Sequence, residues 1–168
     1  MRRLLLLLLL TTLVGCGAAE PPRIQGVEVE PVWEGVATVE EYPERVVVKV
    51  TVENPSAAVK LLQGRMRIGY GGRWVAMLTL TEKVKIPARG SATVELPLRL
   101  NVQRTAQTMQ LRAALKSRRT EGIMIDWQVA LRTRMAYVER EQGPMSIEEM
   151  AGQNIEAIKD MLATIFEE

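Results

Sequence analysis

The chain contains no histidine. That removes the commonest general base, the commonest metal ligand and any triad built on an imidazole. One cysteine stands among 168 residues, so no intrachain disulfide, thiolate zinc site or Cys-X-X-Cys redox pair can form. Aspartate occurs only at Asp126 and Asp160. The serines, Ser56, Ser91, Ser117 and Ser146, have no histidine to activate them and sit in no Gly-X-Ser-X-Gly elbow. Glu40-Glu41 and Glu148-Glu149 are adjacent carboxylates, and neighbours on a chain rarely face each other across a glycosidic bond. An enzyme is not expected, and neither is a metal or a cofactor. A strong net charge is also lacking. The chain has 22 basic and 20 acidic residues, and Arg2 and Arg3 belong to the leader described next. Nothing global points to nucleic acid.

What is present begins at the N-terminus. Met1-Arg2-Arg3 is a short positive segment, and Leu4 to Val14 is an eleven-residue run dominated by leucine. That length suits a secretory signal and falls short of the ~20 residues that span a bilayer. The run closes on Leu13-Val14-Gly15-Cys16, which resembles the bacterial lipobox. The resemblance implies cleavage before Cys16, a diacylglyceryl group on its thiol and acylation of the new amine. Cys16 is therefore the expected lipidation site, and the membrane is the expected partner through that anchor. Two or more acyl chains hold a protein stably where one holds it marginally. Gly17 stands where an aspartate would retain a lipoprotein in the inner membrane. Outer-membrane residence is expected, on the periplasmic side because no acidic run follows the cysteine. Residues 16–23 read as a tether, with Pro21-Pro22 stiffening it.

The body reads as strands. Val46, Val48, Val50 and Val52 alternate with Lys49, Thr51 and Glu53, and Asn54-Pro55-Ser56 stops the run. Leu62, Met66, Ile68 and Tyr70 alternate next, and Gly71-Gly72 gives a hairpin signal. Trp74, Ala76, Leu78 and Leu80 follow, then Val84 and Ile86, a turn at Pro87-Ala88-Arg89-Gly90, and Val94, Leu96, Leu98 and Leu100. Pro97 within that strand suggests an edge or an outward face. Ile123 to Tyr137 alternates once more, and an opening strand is expected from about Ile24 to Trp33. Residues 105–118 alternate as a strand would, yet they are mostly Ala, Gln, Met, Leu, Arg and Lys. That composition predicts a helix. Together these elements predict an antiparallel β-sandwich with an inserted helix. After Gly143-Pro144, Ser146 and Glu149 form a capping box. The apolar positions from Ile147 to Phe166 share one face, with Glu149, Glu156, Asp160 and Glu167 opposite. A C-terminal amphipathic helix is expected there.

Several of these features occur together in one family. A valine-rich strand ends in Glu53-Asn54-Pro55; Leu61-Leu62-Gln63-Gly64 follows; then come Val84-Lys85-Ile86-Pro87-Ala88-Arg89-Gly90 and Thr93-Val94-Glu95-Leu96-Pro97-Leu98. This resembles the group 2 late embryogenesis abundant proteins, the water-stress and hypersensitive-response domain, over about residues 24–138. The resemblance implies an immunoglobulin-like sandwich with a helix, no known enzymatic activity, and a link to stress and desiccation tolerance. Bacterial lipoproteins with one such domain fit the lipobox. The C-terminal helix lies outside the resemblance.

The expected organisation is a signal over 1–15, a tether over 16–23, the sandwich over 24–142 and the helix over 143–168. Asn54-Pro55 is a family mark whose plainer reading is a strand stop. Trp33, Trp74 and Trp127 could line a groove, but Trp74 and Trp127 fall on apolar faces and are expected in the core. Residues 99–138 carry +6 and residues 139–168 carry −6. The basic run could meet anionic headgroups, though neutralisation by the acidic helix is the simpler expectation. A non-catalytic envelope lipoprotein acting by binding or support follows. The alternative is a carrier of lipid or another apolar ligand, which would need an internal cavity of ~300 Å³ or more. Neither the protein partner nor the apolar ligand can be named from these residues.

Overall fold

A computed structural model of the chain describes residues 22–32, 42–151 and 162–166. Cys16, the leader, most of the tether, Trp33 and Glu40-Glu41 lie outside them. The body is mainly β, as its periodicity predicts. Its strands are β1 (Arg23–Val32), β2 (Arg45–Asn54), β3 (Val59–Tyr70), β4 (Arg73–Leu80), β5 (Val84–Ile86), β6 (Gly90–Val102), β7 (Ile123–Arg132) and β8 (Tyr137–Ser146). All pair antiparallel, in the order β1-β2-β6-β4-β3-β7-β8, with β5 also on β3.

Strand β6 carries the sheet round a corner. Its residues 90–99 pair with β2, while 98–102 pair with β4. The result is a sandwich-like arrangement whose layers stay hydrogen-bonded through β6 and β4. Val46, Val48, Val50 and Val52 of β2 meet Leu61 and Ile68 of β3 and Ile123, Ile125, Val129 and Leu131 of β7 in one continuous core. Pro97 costs no ladder bond. Its carbonyl accepts from the Thr81 N–H at 2.9 Å, and a residue's C=O and N–H point to the same side of a strand. Its missing N–H therefore faces the point where β4 has ended.

Three departures from simple alternation have physical causes. A register shift between Leu61 and Gln63 buries Leu61 and leaves Leu62 half-buried. Val75 is an extra residue in β4, because Gly69 pairs with Trp74 and Ile68 with Ala76; Val75 turns fully into the core and Trp74 turns out. The run over 123–138 is two strands. The Thr133 hydroxyl accepts from the N–H groups of Met135 and Ala136, at 3.3 and 3.0 Å, and this local turn breaks the alternation.

Residues 106–116 are helical, as their composition predicts. Helix α1 (Ala106–Lys116) starts at Thr105, whose side chain accepts from the Thr108 N–H, and buries Thr108, Leu111, Ala114 and Leu115. Gly143-Pro144, expected as a turn, lies inside β8. Helix α2 (Ile147–Ala151) opens on the expected capping box. The Ser146 N–H donates to Glu149 at 2.9 Å and the Glu149 N–H donates to the Ser146 hydroxyl at 3.1 Å. Residues 162–166 are helical too; the stretch between lies outside the described residues. Ile147, Leu162, Ile165 and Phe166 belong to the same core as the strands. The Phe166 ring meets Tyr42 edge-on at 5.7 Å. Both described pieces of the C-terminal segment thus dock on their own sandwich.

The topology gives the molecule two distinct ends. One end, here the near end, holds the start of β1 at Arg23 and the turns at 54–58, 87–89 and 133–136. The far end holds α1, the 117–122 loop, α2 and Tyr42. At about 3.3 Å per residue, the twelve residues of β3 separate them by roughly 40 Å.

Candidate functional site

The described surface carries a cleft of about 190 Å³ where β3, β7 and β8 meet. Arg65, Arg67, Asp126, Trp127, Glu141 and Pro144 are among its lining residues. Its origin is a bulge. Ile125 pairs with Met145 and Trp127 with Gln142, so Gly143 and Pro144 together oppose Asp126. The extra residue parts the edge strand from β7 at that point.

Arg67 and Asp126 are direct cross-strand partners. The Arg67 Nε donates to both Asp126 oxygens, at 3.0 and 2.9 Å, and its Nη2 donates to Oδ2. This hydrogen bonding, opposed by desolvation and helped by the Asp126 charge, raises the Arg67 pKa above its usual value. Asp126 is buried although its alternation predicts an outward position; the guanidinium fork is what makes that burial affordable. The Arg67 guanidinium also lies 4.3 Å from the centre of the Trp74 ring. Gly69 makes room for that ring: a Cβ there would stand 3.2 Å from it and 3.1 Å from the Arg73 carbonyl. Trp74, expected in the core, is therefore half-buried under a cation. Trp127 is half-buried, packed against the core, with its Nε1 enclosed and without a hydrogen-bond acceptor among the described residues. Both Asp126 oxygens are taken up by Arg67, so the cleft is a rigid polar surface and Asp126 is committed to holding it.

Asn54 is the other buried polar residue that the sequence singles out, at 1% exposure. Its amide donates to the carbonyls of Ala57 and Pro87, at 3.0 and 2.7 Å, and its Oδ1 accepts from the Ser56 N–H at 3.1 Å. The Arg89 N–H donates to Ser56 at 3.1 Å. Asn54 thus ties two turns of the near end together, which is the structural reading of Asn54-Pro55. The acidic pair at 148–149 is likewise structural. Glu149 completes the cap, and Glu148 accepts from the buried Thr120 hydroxyl in the far-end loop that carries Arg118 and Arg119.

No protein-family model matches the chain, and no curated protein does. Solved structures do. A protein from Archaeoglobus fulgidus is 16% identical with a TM-score of 0.37, over 73% of this chain and 96% of that one. A β-glucuronidase from glycoside hydrolase family 2 is 15% identical with a TM-score of 0.31, over 72% of this chain and 11% of that one. A candidate late embryogenesis abundant protein, solved in solution, is 14% identical with a TM-score of 0.34, over 80% of this chain and 74% of that one.

Proposed function

We propose that the protein is a lipid-anchored, non-catalytic envelope lipoprotein that acts by binding or by structural support. In this reading it is a single-domain relative of the group 2 late embryogenesis abundant proteins, on the periplasmic face of the outer membrane. The observation that carries the reading is the sole cysteine, placed directly behind an apolar run and a small residue at Leu13-Val14-Gly15-Cys16. The missing histidine supports the non-catalytic part. Against the carrier reading, the side chains between the layers pack as one cluster. The described cleft between β3, β7 and β8 is smaller than a lipid needs and is lined largely by polar and charged residues. The test is incorporation of labelled fatty acid in a bacterial host. Cys16→Ser is expected to leave an uncleaved, unlabelled precursor. Equal labelling of wild type and variant would overturn the anchor.

A further inference from the structure

The near end brings cations together that are far apart in sequence. Lys60 of β3 is paired with Lys85 of β5 on one side and with Arg132 of β7 on the other. Arg132 is paired in turn with Tyr137 of β8. Residues directly opposite in antiparallel strands project from the same face, with Cβ atoms about 5 Å apart. Lys85, Lys60, Arg132 and Tyr137 therefore form one exposed row across four strands. Arg134 and Met135 sit in the turn at its end, and Met135 is 95% exposed. Among the described residues, Lys60, Lys85, Arg132 and Arg134 have no carboxylate within ion-pair distance. Two acids near this end have other partners, and the exposed Glu82 precedes β5, outside the paired row. Glu53 stands opposite Arg23 and accepts from Gln25, and Glu139 accepts from Gln128 and Tyr137.

Folding alone disfavours such a row, because like charges directly opposite on a sheet repel. An exposed methionine beside two arginines adds an apolar tip to the cationic rim. Geometry says what faces it. Seven residue steps separate Cys16 from Arg23, a reach of at most about 25 Å. That is shorter than the roughly 40 Å between the two ends. A chain anchored at Cys16 turns its near end to the bilayer.

We propose that this end, formed by Lys60, Lys85, Arg132, Arg134 and Met135, is a docking surface for an anionic phospholipid bilayer. The proposal rests on the anchored reading for its orientation, but the surface can be tested without the anchor. Residues 17–168 retain every described core residue and lack the lipidated cysteine. This form is mixed with vesicles of phosphatidylcholine alone or with one third phosphatidylglycerol, at low salt. Four headgroup contacts give an expected partition coefficient on the order of 10³ M⁻¹ for the anionic vesicles. Little binding to phosphatidylcholine is expected, and salt should release the bound protein. Arg132→Glu with Arg134→Glu should lower binding at least tenfold without lowering the thermal midpoint. The same reversal at Arg118 and Arg119, on the far end, should leave it unchanged. Absence of binding, equal binding to both vesicle types, or equal loss from the far-end reversal would overturn the proposal. Fatty-acid labelling of Cys16 would be untouched by that failure. Conversely, an unlabelled wild type with selective vesicle binding would remove the anchor and keep the surface.

Discussion

The two ends of the sandwich are finished differently. At the far end, α1 and the described parts of the C-terminal segment close over the core. Phe166 lies against Tyr42, Ile147 is fully buried, and the Ser146–Glu149 cap satisfies the start of α2. Its charges are partly answered in place, since Glu148 reaches the loop bearing Arg118 and Arg119. At the near end no helix covers the turns among the described residues. The turns are tied by the buried Asn54, and a cationic row with an exposed methionine is left facing out. The far end is built for stability. The near end is built to be rigid while presenting charge.

That contrast fails if the far end is dispensable. Phe166→Ala should therefore give the largest effect, a loss of about 3–5 kcal/mol in chemical denaturation, because a buried ring leaves a cavity. For a domain with total stability of about 5–15 kcal/mol, that loss approaches unfolding. An unchanged midpoint would show that the C-terminal segment is not part of the core.

A smaller effect sharpens the near end. Asn54→Ala removes three side-chain hydrogen bonds to backbone groups. A loss of about 2–3 kcal/mol is expected, since each bond contributes roughly 1 kcal/mol and the abandoned carbonyls add their desolvation. Amide exchange should rise at 56–58 and 88–90 before it rises in β7. Exchange that rises equally everywhere would mean that Asn54 does not act locally.

The smallest effect has the opposite sign. Lys60→Glu places an acid between Lys85 and Arg132 and relieves two like-charge pairs. Stability should rise by about 0.2–1 kcal/mol at low salt, with the gain fading at high salt. A loss would mean that the row serves the fold.

These differences track what could be read along the chain. Features within one element were legible: the alternating valines of β2, the helical composition of 105–118, and the Ser146–Glu149 spacing. Each depends on neighbours a few residues apart. The bulges were not legible, because an extra residue such as Val75 reveals itself only against the strand it fails to match. The same cause hid the outward turn of Trp74, the burial of Asp126 under Arg67, and the role of Gly143-Pro144 within β8. The basic run over 99–138 reads as one block, yet the fold divides it. Arg118 and Arg119 go to the far end, while Arg132 and Arg134 go to the near end and meet Lys60 and Lys85 from other strands. Cross-strand register is the information that linear charge counting lacks.

The central claim is that the two ends stand at different distances from the membrane. It can be measured in vesicles with the chain held by the proposed acyl anchor, which would block the Cys16 thiol so that a single new thiol takes a fluorophore. Met135→Cys and Arg118→Cys place the dye at the near and far ends. Quenching by headgroup-labelled lipid should be strong at position 135 and absent at position 118, some 40 Å away along the strands. Equal quenching at both positions, or stronger quenching at 118, would contradict the account.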